Sequence, residues 1–122
     1  MLLIYSNPAV WEHPTFLQAP EALAMSPEDR EGLSDQFGTL MKELSDSGEL
    51  IIGQPLGAPE DTETVQVRDD EAVITDGPFT EAKEHLAGYF IVDCCSPERA
   101  REIASRFPDA RFGAVEIRRI LD

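Results

Sequence analysis

The sequence predicts an α+β fold in which two helices cover one face of an antiparallel sheet. Three observations carry this. Ser26-Pro27-Glu28 and Ser96-Pro97-Glu98 are the same helix-start signature, and each leads into apolar residues at helical spacing. Short apolar or alternating segments stand before, between and after those two starts. The 122 residues suit one domain, spanning 1–122, with enough core to fold without disulfide or metal.

The elements follow in order. Met1 to Tyr5 is a compact apolar run and reads as a buried opening strand. Pro8, Pro14 and Pro20 break up residues 7–24, but Trp11, Phe16 and Leu17 need burial. That stretch is therefore a packed loop or short helical turn. Ser26 is a good N-cap, Pro27 fits the first turn, and Glu28 and Asp29 face the positive end of the helix dipole. Leu33, Phe37, Leu40, Met41 and Leu44 recur on one face, and Gly48 supplies a left-handed stop. The spacing predicts a helix over 27–47.

Residues 49–55 read as a strand around Leu50-Ile51-Ile52, and 56–61 as a loop. Residues 64–68 alternate, Asp69-Asp70 turns the chain, and 72–75 return, which is a β-hairpin. Asp76-Gly77-Pro78-Phe79 breaks the pattern, and 80–86 reads as a helical turn or two. Residues 88–95 form a strand, 97–107 a second helix ended by Pro108, and 114–121 a closing strand. With the hairpin as an insertion the order is βαββαβ, the ferredoxin-like arrangement. Helices on one face leave the apolar strand residues of the other uncovered, and face-to-face pairing in a homodimer is the simplest cover.

Charge narrows the partners. There are 24 acidic and 10 basic residues, a formal net charge of −14. The cations are scattered, so nucleic acid and anionic membranes are disfavoured. The plain role of the excess acid is solubility. Cys94 and Cys95 are adjacent and read as free thiols in a reducing, cytoplasmic setting. No run reaches membrane-spanning length. No metal spacing joins His13, His85 and the cysteines, and no phosphate loop or dinucleotide fingerprint is present, so no cofactor is expected.

Val73-Ile74-Thr75-Asp76-Gly77-Pro78-Phe79-Thr80-Glu81-Ala82-Lys83-Glu84, followed by Leu86-Ala87-Gly88-Tyr89-Phe90, resembles the signature of the DGPF-motif subgroup of YCII-related proteins. Leu3-Ile4-Tyr5, Ser26-Pro27-Glu28 and Gly113-Ala114-Val115-Glu116-Ile117-Arg118 agree in order and spacing. The resemblance spans nearly the whole chain. It implies a ferredoxin-like fold that dimerises into an α/β barrel, and for some members a link to sigma-factor-type regulators. In the wider group it also implies a His/Asp pair as active site. Its His falls near the start of the long helix, where this chain has Asp29.

Asp76 is the leading candidate for acid/base work: it is a carboxylate set in a turn that Gly77 and Pro78 shape. The structural alternative is an Asp that satisfies backbone amides while Phe79 plugs the core. Glu84 and His85 are further catalytic candidates, with Glu81 and His85 on one face if the segment is helical. Lys83 is a candidate cation for an anionic substrate. A solvated, ion-paired helix is the alternative reading of that block. Tyr5, Phe79, Tyr89 and Glu116 are candidate substrate contacts in a cavity between paired sheets, or else packing and edge residues. The functional expectation is a cofactor-free enzyme acting on a small organic molecule, with a ligand-binding or regulatory module as the alternative.

Overall fold

The computed structural model describes residues 1–80 and 83–121. The strands are β1 (Leu2–Ser6), β2 (Leu50–Pro55), β3 (Glu63–Arg68), β4 (Glu71–Asp76), β5 (His85–Val92) and β6 (Ala114–Ile117). The helices are α1 (Pro20–Leu23), α2 (Pro27–Ser47), α3 (Pro97–Ser105) and α4 (Asp109–Phe112), with 3-10 turns at Thr15–Gln18 and Pro59–Asp61. Among the described residues, no helix is long and apolar enough to cross a membrane.

Local chemistry sets the helix ends. The Ser26 hydroxyl accepts from the Asp29 amide at 3.1 Å, and the Ser96 hydroxyl accepts from the Arg99 amide at the same distance. α2 stops at Gly48, whose φ is 80°. β2, β5, β1 and β6 form one antiparallel sheet in that order, an arrangement compatible with a ferredoxin-like fold. β3 and β4 form a separate two-stranded sheet. They are joined at Asp69-Asp70, both with positive φ (51° and 64°), as a tight right-twisting hairpin turn needs.

One sheet face carries Leu2, Ile4, Phe90, Val92 and Val115 against Leu40 and Leu44 of α2 and against Ile103, Ala104 and Phe107. A second cluster, Phe16, Ala19, Ala22 and Leu33, seats the 15–23 segment on α2. Phe37 joins the two clusters, its ring centre 5.7 Å from Phe16 and 6.1 Å from Phe107. Arg99 adds a fork to Glu49, with Nε and Nη2 each 2.9 Å from a carboxylate oxygen, and this ties α3 to the start of β2.

Three expectations shift. The closing strand, expected over 114–121, spans only Ala114–Ile117. The second helix stops at Ser105, short of Pro108, and that proline instead precedes a further turn, α4. The segment 80–86 is not a helix in its described part: Lys83 and Glu84 lie in a bend, and β5 begins at His85. His85 pairs with Ser6, so hydrogen bonding to β1 sets its backbone, overriding local helix preference. Glu81 lies outside the described residues.

Candidate functional site

A cavity of about 500 Å³ lies between the helix-covered sheet face, α2 and the 13–16 segment. Its walls are apolar: Ile4, Phe16, Phe37, Pro55, Ala87 and Phe90. His13, Thr15, Ser34, Gln54 and Asp109 also line it, with Thr15 and Asp109 buried and His13, Ser34 and Gln54 exposed.

A bulge in the sheet builds one wall. The β1–β5 register shifts between Ile4 and Tyr5: Ile4 pairs with Gly88, whereas Tyr5 pairs with Leu86. Ala87 is the extra residue, and it turns into the core at 2% exposure. Its carbonyl accepts from the Leu56 amide at 2.9 Å, which fixes the end of β2. Beside it, Gly53 leaves room for the Phe90 ring: a Cβ there would collide with the ring edge. Glycine is required by that close approach.

The Leu56 carbonyl in turn holds the 7–14 loop. It accepts from the Trp11 indole N–H at 3.0 Å and lies 2.7 Å from His13 Nε2. A carbonyl only accepts, so Nε2 carries the hydrogen. In the neutral ring Nδ1 is then the unprotonated nitrogen, which is the state a general base requires.

Asp109 opens α4 directly after the buried Phe107-Pro108 pair and is 7% exposed. Burial pushes its carboxyl up to about 6, against the opposing pull of its own backbone amide and of His13. A carboxyl with that midpoint exists in both protonation states near neutrality, so it can give or take a proton. His13 and Asp109 thus offer an acid/base pair in an apolar cavity. Neither residue belongs to a sequence motif that points to chemistry. A Pro-Asp step after an apolar helix end was the available signal for Asp109; His13 had none beyond its residue type.

The residues singled out from sequence lie elsewhere. Asp76 ends β4 and is exposed. Gly77, at φ 94°, takes the left-handed region that disfavours side chains. Its amide donates to the Thr62 carbonyl at 2.6 Å and its carbonyl accepts from the Thr64 hydroxyl at 2.7 Å. The turn thus clamps the base of the hairpin. Phe79 is 67% exposed and does not plug the core. It lines a second cleft of about 440 Å³ together with His85, Leu86, Pro78, Asp61 and Thr62. Lys83 is exposed and Glu84 half-buried, and neither lines either cleft.

Tyr5, Tyr89 and Glu116 come together on the sheet face away from the helices, where Leu3 pairs with both Tyr89 and Glu116. Burial and the neighbouring Glu116 carboxylate raise the Tyr5 pKa. Arg118 pairs with Glu116 at 3.1 Å. Among the described residues no group of three or more His, Cys, Asp or Glu side chains is placed to hold a metal.

The sequence profile of the YCII-related domain matches residues 1–122. The chain is also 28% identical over 97 residues to an uncharacterized protein of Rhizobium meliloti (strain 1021), a match covering 78% of each chain. With the profile matching from the first residue to the last, the chain belongs to the YCII-related family.

Proposed function

We propose that this YCII-related protein, of the DGPF-motif subgroup, is a cofactor-free enzyme that moves a proton on a small organic molecule. The observation that carries the reading is the convergence of His13 and Asp109 on one apolar cavity, with Asp109 held near 6. This pair takes the role that the resemblance gives to a His/Asp active site, and it lies outside the start of α2. His13 Nδ1 accepts the proton of a substrate C–H or O–H. Asp109 in its protonated form returns one to the developing anion. The apolar walls strengthen the interactions of the buried Asp109, while His13 stands at the solvent-exposed side of the cavity. Asp76, Glu84 and His85 have no part in this step, while Tyr5, Tyr89 and Glu116 belong to a different surface.

That surface supports a homodimer. Leu3, Ile52, Tyr89 and Ile91 share the face that no helix covers, and Ile52 is 39% exposed. Pairing two such faces gives the dimeric α/β barrel, with the cavity on the outer, helix side of each sheet. The net charge of −14 speaks for small-molecule rather than nucleic-acid partners in the cytoplasm.

The test is solvent-proton exchange. Cyclic ketones, lactones and enols are incubated with the protein in deuterated water and followed by proton NMR. Wild-type protein exchanges at least one α-proton, and His13→Gln and Asp109→Asn do not. Equal exchange by wild type and both variants sinks the reading.

A second reading, a regulatory module acting through a protein partner, is favoured by one observation. Val65, Val67 and Ile74 share one face of the β3–β4 ribbon and are each about 60% exposed. In that case Val65→Thr/Ile74→Thr abolishes partner capture while leaving cavity chemistry intact.

A further inference from the structure

The composition of the cavity wall selects for ligand charge. We propose that the site takes an uncharged, ring-bearing molecule and discriminates against anions. This rests on the His13–Asp109 cavity being the functional site.

Phe37 stands between Phe16 and Phe90, its ring centre 5.7 and 6.2 Å from theirs. The rings are tilted or edge-on to one another and present a continuous apolar wall. A cavity of about 500 Å³ matches a molecule of one to a few fused rings, since pockets of roughly 300–1,000 Å³ enclose small ligands.

The charge argument comes from the polar groups. No Lys or Arg is among the described lining residues. The half-buried guanidinium of Arg30, on α2, is committed to the Leu17 and Ala22 carbonyls at 2.7 and 3.0 Å. A carboxylate or phosphate entering the cavity would lose its water without gaining a cation, and would meet Asp109 and an overall charge of −14. A cation would gain the Asp109 carboxylate and the overall charge, but burying such a pair costs the desolvation of both ions, which their attraction rarely repays. Aromatic walls that hold ammonium groups favour Trp and Tyr, and here the described lining has neither, only Phe16, Phe37 and Phe90 beside His13. Trp11 is not among the described lining residues, and Tyr5 and Tyr89 face the other side of the sheet. The groups left to recognise a ligand are neutral donors and acceptors, Thr15, Ser34 and Gln54, beside the His13–Asp109 pair.

Three probes sharing one ring system test this: naphthylmethanol, naphthoate and naphthylmethylammonium, titrated calorimetrically into the full chain at neutral pH. The alcohol binds at least about tenfold more tightly than either ion. Ser34→Trp, at an exposed position on α2 that lines the cavity, weakens the alcohol at least about tenfold by filling the space. Equal or tighter binding of naphthoate overturns the proposal, as does tightest binding of the ammonium probe. Alcohol binding unchanged in Ser34→Trp places the ligand elsewhere and also overturns it. The acid/base reading has its own readout, the Asp109 titration. If no probe binds while Asp109 still titrates near 6, the ligand class alone fails. If the alcohol binds but Asp109 titrates as an ordinary carboxyl, the class stands and the catalytic reading falls.

Discussion

His13, in the loop before α1, and Asp109, at the first position of α4, line the same cavity, and His13 acts on the Asp109 carboxyl through space. Chain topology brings them together. β6 lies beside β1, so α4, which feeds β6, comes back against the segment that leaves β1. The pair is held from both sides, His13 by the Leu56 carbonyl and Asp109 by the buried Phe107-Pro108 step.

Asp109 should cost stability at neutral pH. Its folded midpoint, about 6, lies above the ordinary 3.8, so the folded state binds the proton more tightly than the unfolded chain. Stability therefore falls as pH rises from about 3.8 to about 6, by up to about 3 kcal/mol from a shift of this size. Asp109→Asn removes the penalty. Chemical denaturation should find the variant more stable than wild type at pH 8, with the gap closing near pH 4. A constant gap across that range would show that the carboxyl is not held in its neutral form.

His13→Gln separates the two duties of the imidazole. The Gln amide can still donate to the Leu56 carbonyl but cannot act as a base. Its stability should stay within about 0.5 kcal/mol of wild type while proton exchange is lost. Trp11→Phe does the opposite: it removes the other donor to that carbonyl and costs about 1 kcal/mol, with the base retained. Melting curves and exchange rates on both variants check the split.

Gly53→Ala should destabilise by about 1–3 kcal/mol, because the Phe90 ring must leave the space over residue 53. Pairing it with Phe90→Leu should recover part of that loss, a coupling that a double-mutant cycle measures. Additive effects would mean the ring moves aside freely.

Ile52→Asp probes the uncovered sheet face. At 39% exposure the residue contributes little to the monomer core, so folding should persist. Sedimentation should show wild type as a dimer and the variant as a monomer. A monomeric wild type would remove the sheet-face pairing.

The fold was largely legible because its signals are local. Ser26 and Gly48 delimit α2 through one capping hydrogen bond and one left-handed residue, both readable from sequence. Asp69-Asp70 marks the hairpin turn in the same way. The site was not legible because it is non-local. Neither His13 nor Asp109 sits in a local pattern, and α4 is one turn long, too short for periodicity to show. The bulge that turns Ala87 inward depends on pairing with β1. Asp76-Gly77-Pro78-Phe79 is conspicuous in the sequence because its residues form turns and because it carries the resemblance to the DGPF-motif subgroup. Its geometry clamps the hairpin base and leaves Asp76 and Phe79 exposed.

The most direct measurement is the titration of the Asp109 carboxyl carbon by NMR, in wild type and in His13→Ala. A midpoint near 6 in wild type, moving higher when the imidazole is removed, is the predicted result, because His13 opposes the effect of burial. A midpoint near 3.8 in both proteins would contradict a coupled acid/base pair in this cavity.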